Sequence, residues 1–351
     1  MIPIARPLIG AEERAAVDRV LASGALSQGP EVAAFEAEFA QLVDGRVCVA
    51  VNSGTSALHL SLLALGIGPG DEVIVPSFTF AATANVVLLA GATPVFADIR
   101  PGDFCIDPEH VSALVNERTA AIIPVHLYGH PAAMVELRAI AATHGLVIVE
   151  DAAQAHGASL DGTPAGAWGE AAAFSFYPTK NMTTGEGGMA VFASKDAARR
   201  ARLLRNQGME RQYDNEVAGY NLRMTDLAAA IGRVQLRRLA ELTAARRANA
   251  ARLDGGLAGV VQTPVEAPGA VHVYHQYTVR SPERDRLAVT LEARQVQARV
   301  YYPTPVHRLP AYALTLDLPE TERAVAEVLS LPVGPHLSAS DVDRIVEAVA
   351  S

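Results

Sequence analysis

The sequence predicts an α/β protein built on a mainly parallel sheet. Three observations carry this. Short apolar runs bounded by Gly, Pro or acidic residues recur up to Phe192. Segments with helical spacing separate them. The runs are apolar at successive positions rather than alternating, as strands buried on both faces must be. Strands separated by helices imply a parallel sheet covered on both sides.

Seven strands are expected, at 46–51 (RVCVAV), 71–76 (DEVIVP), 93–98 (TPVFAD), 119–126 (TAAIIPVH), 146–151 (LVIVED), 171–176 (AAAFSF) and 187–192 (GGMAVF). Helical patterns fill the gaps at 56–65, 81–91, 107–116 and 132–145. A long helix starts at the capping residues Thr225 and Asp226. It runs through Leu227, Ile231, Val234, Leu239 and Leu242 to a stop at Gly255–Gly256. The texture then changes. HVYHQYTVR (272–280), the helical 287–295, ARVYYPTPVH (298–307) and a closing helix ASDVDRIVEAVA suggest a smaller α+β part. The expected division is a large domain over 1–236 and a small C-terminal domain over 237–351.

Bulk properties exclude some function classes. A net charge of −9, with no basic run carrying interleaved aromatics, argues against nucleic-acid binding. The arginine-rich stretch 237–247 (RRLAELTAARR) reads as an exposed helix face. Two cysteines, Cys48 within an apolar run and Cys105, suggest a reducing cytoplasm and no disulfide framework. The N-terminus has charges and prolines where a secretory segment needs an apolar run. Residues 73–97 carry no charge, but Pro76, Gly91 and Pro94 divide them into strand, helix and strand, so no membrane span is expected. No histidine pattern reads as a metal site; His126, His130, His144 and His156 lack ligand spacing.

One residue stands out against this composition. Of 29 basic residues only two are lysine, Lys180 and Lys195. Lys195 follows Ser194, a helix N-cap, on a solvated face. Lys180 sits in FSFYPTKNMTTGEGG, a loop of small residues. Arginine holds its proton too tightly to act as a base, whereas a buried lysine amine can lose one and form an imine with a carbonyl.

Three other features fall at loops that follow strands. In NSGTSALHL, Gly54, Thr55 and Ser56 open a helix whose free N–H groups attract an anion; read alone, this is also an ordinary capped glycine turn. Asp151 ends a strand, where ligands of open parallel sheets bind, and can pair with a heteroaromatic nitrogen or cap a helix. Glu150 points to the other side of that strand. In PSFTFAAT, Phe78 and Phe80 share a face by strand alternation, as core residues or as a platform for a flat ring. Ser175, just before the lysine loop, can bind phosphate. Together these groups ask for a ligand with a phosphate, a pyridine nitrogen, a flat ring and an aldehyde, which is pyridoxal 5′-phosphate (PLP).

The same motifs, EDAAQAHGA, FSFYPTKNMTTGEGG, GDEVIVPSFTFAATANVV, VHLYGH and GYNLRMTDLAAAIGRVQL, resemble the DegT/DnrJ/EryC1/StrS family over nearly the whole chain. That family comprises PLP-dependent aminotransferases acting mostly on keto sugars attached to nucleotides. The resemblance implies the type I PLP-dependent aminotransferase fold and a homodimer with active sites at its interface. It implies that Lys180 bonds the cofactor, Asp151 pairs with the pyridine nitrogen and Gln154 contacts the ring hydroxyl. Phe80, rather than Phe78, stacks on the ring. Thr55, Ser56 and Ser175 bind the phosphate, and Asn221 reaches the phosphate in the partner subunit. Arg223, beside Asn221, is expected to meet substrate or to hold the interface, and Tyr302 and His307 to lie near the sugar-nucleotide end. L-Glutamate is the implied donor and a keto-sugar nucleotide the acceptor. Lysine at 180, where dehydratase relatives carry histidine, favours transamination. The rival expectations are a cyclitol aminotransferase and a PLP-binding regulator without turnover.

Overall fold

The computed structural model describes residues 1–351. All seven expected strands form: β1 (Val47–Val51), β2 (Glu72–Pro76), β3 (Thr93–Ala97), β4 (Thr119–Ile122), β5 (Val147–Asp151), β6 (Ala171–Ser175) and β7 (Gly188–Phe192). They make one sheet of order β1-β7-β6-β5-β4-β2-β3, in which β7 alone runs antiparallel to its neighbours. Strand β4 is shorter than expected and ends before Pro124. The charge-free stretch resolves into β2, the helix Ala82–Leu89 and β3. No helix is long and apolar enough to cross a membrane.

Helices cover both faces. Val49 and Val51 of β1 join one core cluster with Leu58 and Leu62, while Cys48 and Ala50 join another with Phe35 and Phe39. Burial on both faces is what the continuous apolar runs required. Cys48 and Cys105 are buried free thiols.

The chemistry-bearing loops share one edge of this sheet. The parallel strands β1, β2, β5 and β6 end there, leading into 52–56, 77–81, 151–154 and the lysine loop. Because β7 is antiparallel, the loop that leaves β6 after Ser175 returns at Gly188 on the same edge, where Gly188 pairs with both Ser175 and Val51.

The helix Asp226–Leu257 is capped by Thr225, whose side chain accepts from the Ala228 N–H at 3.2 Å. It does not stop at Gly255–Gly256 but includes both. A Cβ on Gly256 would lie 2.6 Å from Val346, so this glycine permits close packing of the closing helix Ala339–Ala350 instead of ending a helix. The helix begins against the large sheet through Ala229 and ends in a second core with Leu253, Tyr277, Leu329 and Ile345. Residue 236 therefore lies inside one continuous helix. Its arginine-rich stretch has the exposed face expected, through Arg237, Ala240, Glu241 and Ala244, but Leu239, Leu242 and Arg246 are buried on the other side, where Arg246 donates to the carbonyls of Tyr274 and His275. Beyond it, Tyr277–Arg280 pairs antiparallel with Val328–Leu331, while residues 298–307 form no strand beyond a single bridge at Arg299.

Candidate active site

A cavity of about 470 Å³ opens at the shared edge. Gly54, Thr55, Phe80, Asp151, Gln154, Ser175, Lys180 and Tyr302 all line it. Eight residues singled out from sequence, separated by up to 248 positions, thus converge on one space.

The helix Gly54–Leu65 points its first turn into the cavity. Its cap is Ser53, whose Oγ accepts from the Ser56 N–H at 3.1 Å. Ser56 does not line the cavity; its hydroxyl is spent on Asn52 Oδ1 at 2.7 Å. The Gly54 and Thr55 N–H groups, in the first turn, have no intrahelical acceptor. Gly54 is needed for contact with β6, since a Cβ there would lie 2.7 Å from Ser175 Cβ.

Asp151 is 5% exposed at the tip of β5. Thr83 donates its hydroxyl to Asp151 Oδ2 at 2.8 Å, and the Ala153 N–H donates to Oδ1 at 3.2 Å. Burial holds its pKa above the usual range, against the pull of Thr83, Ala153 and Lys180. The carboxylate has no ion pair within 4.0 Å. Glu150, on the opposite side of β5 as expected, does something unrelated. It accepts from the N–H groups of Gly166, Trp168 and Gly169 and from His126 Nε2. Burial pushes its pKa up, but these donors outweigh it and hold it low. His126 Nδ1 accepts from the Ala132 N–H, so the proton shared with Glu150 sits on Nε2.

Lys180 is partly buried, with burial pushing its pKa down to about 8 against the partial opposition of Asp151. The next residue anchors the loop: Asn181 donates to the Val273 carbonyl at 3.0 Å and faces His275 Nδ1 at 3.2 Å.

Phe78 and Phe80 part company. Strand β2 ends at Pro76, so alternation does not extend to 80. Phe78 is buried against Phe104 and Tyr128, whereas Phe80 is 58% exposed at the cavity wall. The exposed ring of Phe80 at the cavity wall is free to stack on a flat ligand.

The remaining expectations fare differently. His307 is fully buried and outside the cavity, which corrects its assignment to substrate: Ser77 Oγ lies 2.6 Å from its Nδ1, and it packs near Phe96. Asn221 is exposed and Arg223 half-buried, both outside this cavity, with Arg223 donating to Asn206 Oδ1 at 3.0 Å. Sequence reasoning missed Ser53, Thr83 and His275. The only signal for Thr83 was a second hydroxyl four positions after Thr79, to which it is bonded at 3.1 Å.

These residues fit PLP. The ring nitrogen would find Asp151, a buried carboxylate lacking a cation; the aldehyde would find an amine lacking an ion pair. The phosphate would find free helix N–H groups beside Ser175, and the ring would find Phe80.

Comparison with known proteins agrees. Residues 7–350 match the family model described as the DegT/DnrJ/EryC1/StrS aminotransferase family. A dTDP-3-amino-3,4,6-trideoxy-alpha-D-glucose transaminase of Streptomyces venezuelae is 46% identical, covering 97% of this chain and 91% of that one. The erythromycin biosynthesis sensory transduction protein EryC1 of Saccharopolyspora erythraea is 48% identical, covering 93% and 92%. The crystal structure of S. venezuelae DesV superposes with a TM-score of 0.95 at 46% identity, covering 97% and 94%.

Proposed function

The chain belongs to the DegT/DnrJ/EryC1/StrS aminotransferase family, and from that premise we propose that it moves an amino group from L-glutamate to the ketone of a nucleotide-linked sugar. It is a PLP-dependent aminotransferase of the type I fold. The observation that carries the proposal is a lysine amine and a buried carboxylate, neither in an ion pair, lining one cavity with a helix N-terminus and Ser175. The 46% identity to a dTDP-sugar transaminase favours a nucleotide sugar with its ketone at C3, for amino-sugar biosynthesis, over a cyclitol.

Bound in the cavity, PLP supplies an electron sink for the electron pair left when the donor's α-proton is removed. Lys180 would hold the cofactor at its aldehyde, and its Nζ, once released by an amino donor, would serve as the base that carries the donor's α-proton. A base must be neutral, and a pKa near 8 leaves about a tenth of the amine neutral at pH 7, against less than a thousandth for an ordinary lysine. Asp151, oriented by Thr83, would keep a proton on the pyridine nitrogen. Phe80 would cover one ring face. Ser175, Thr55 and the Gly54 N–H would hold the phosphate, with Ser56 supporting the cap.

The cavity wall contains no arginine, and Lys180 is its only basic lysine or arginine side chain. Donor carboxylates and a nucleotide diphosphate need more positive charge than that. We therefore assign the functional unit as a homodimer in which Asn221 and Arg223 reach the partner's site, working in the cytoplasm.

The test is the near-UV and visible spectrum of the PLP-loaded protein before and after L-glutamate, then with keto-sugar nucleotides. A band that glutamate converts and a keto-sugar nucleotide restores supports the reading. A band unmoved by any amino donor supports the second reading, a PLP-binding regulator, which the name of the 48%-identical relative favours.

A further inference from the structure

Tyr302 is expected from sequence at the sugar-nucleotide end of the site. Its hydrogen bonds point elsewhere. Tyr128 has a left-handed backbone, φ 58°, that a tyrosine adopts at a cost. This turn directs its N–H at Gln154 Oε1, 2.7 Å away, and its hydroxyl at the Tyr301 carbonyl. With Oε1 engaged by a donor, the Gln154 amide is fixed in orientation. Its Nε2 therefore donates, and it donates to the Tyr302 hydroxyl oxygen at 3.1 Å.

The consequence concerns the Tyr302 proton. A phenol can donate once and accept, and here an amide N–H fills an acceptor position. No protein acceptor takes its proton, while the ring is held in the cavity wall 6.0 Å from Phe80. Burial, with Asp151 nearby, raises the phenol pKa, so the proton stays on. Tyr302 is thus a fixed donor with an unspent O–H facing ligand space.

PLP has few oxygens to receive it. The phosphate is drawn to the helix start and Ser175, and the aldehyde carbon to Lys180. The ring hydroxyl remains. We infer that Tyr302 is a catalytic-site donor to the cofactor's ring oxygen, acting beside Gln154, and not a contact for the sugar nucleotide. By donating there, it favours the ionised ring oxygen and so lowers the pH at which the bound cofactor titrates.

The inference rests on the PLP reading, so the test separates the two. Wild type and Tyr302→Phe are loaded with PLP and reduced with borohydride, and the labelled peptide is mapped. Label on Lys180 in both proteins supports the underlying reading; its absence in wild type sinks that reading, and this inference with it. Tyr302→Phe keeps the ring packing, so the loaded variant is then titrated by visible absorbance. The expected result is a midpoint raised by about one pH unit, tenfold in acid constant. In parallel, affinities for PLP and 3-deoxypyridoxal 5′-phosphate are compared. Wild type should prefer PLP, and the variant should lose about tenfold of that preference. An unchanged midpoint with an unchanged preference would overturn the inference, and a raised KM for the sugar nucleotide alongside them would return Tyr302 to the substrate end.

Discussion

Replacing the central lysine should make the cofactor-free protein more stable. Lys180 titrates at 10.5 when unfolded and at about 8 in the fold, because burial disfavours the ammonium. The unfolded chain therefore binds more protons than the folded one between these values, and stability rises with pH through that window. Below about pH 8 the fold carries the whole penalty, about 3 kcal/mol for a gap of this size. Two effects reduce what a mutation recovers. The amine keeps some solvent contact, and its removal takes from Asp151 a favourable charge. Lys180→Met, similar in shape and uncharged, should then stabilise the cofactor-free protein by about 1–2 kcal/mol at pH 7. Urea unfolding at pH 7 and at pH 10 measures this; the advantage of the variant should shrink by more than half at the higher pH. Lys180→Arg keeps its charge and should give no gain. A Met variant less stable than wild type at pH 7, or an advantage independent of pH, would refute the desolvation argument and with it the neutral-base role.

Other substitutions probe the surroundings of the lysine. Asp151→Asn should leave the unfolding free energy within about 1 kcal/mol of wild type while the glutamate half-reaction slows at least a hundredfold in stopped-flow absorbance, because an amide cannot hold the ring nitrogen protonated. Glu150→Gln places an NH₂ group against backbone donors and should cost about 2–4 kcal/mol in urea unfolding, with Lys180 still able to bind PLP. Gly54→Ala forces the helix start away from Ser175 and should weaken PLP binding at least tenfold in a fluorescence titration.

Most of the positive charge of the chain lies away from the cavity. Its cavity is lined by two carboxylates, Asp151 and Glu186, an amine and hydroxyls, enough for the ring and for proton transfer. It has no fixed guanidinium for anionic ends, although the chain is rich in arginine. Arg233 and Arg205 are committed to Glu38, Glu31 and Glu36 inside the chain. Arg223 is bonded only to a neutral amide and remains available to an anion. A variant Arg223→Gln should raise the KM for the anionic substrates with little change in PLP affinity.

The sheet was legible in the sequence because strands buried on both faces need continuous apolar runs, and such runs are hard to write any other way. Lys180 was legible because a chain that avoids lysine keeps one in a loop of small residues, and Asp151 because it ends a strand. What failed depended on where the chain turns after a strand. Alternation put Phe78 and Phe80 on one face, but β2 stops at Pro76, and the turn sends one ring to the core and the other to the cavity. His307 looked polar and available, yet its partner Ser77 lies 230 residues away, a pairing no local pattern encodes. Arg246 looked solvated because helical spacing fixes which residues share a face, not what packs on it; it turns inward, where the carbonyls of Tyr274 and His275 accept from it. Local periodicity thus determines which loops reach the active edge. Which side chain turns inward there is decided by contacts between distant segments: the Tyr302 hydroxyl accepts from Gln154, 148 positions away, and the preceding carbonyl, that of Tyr301, accepts from Tyr128.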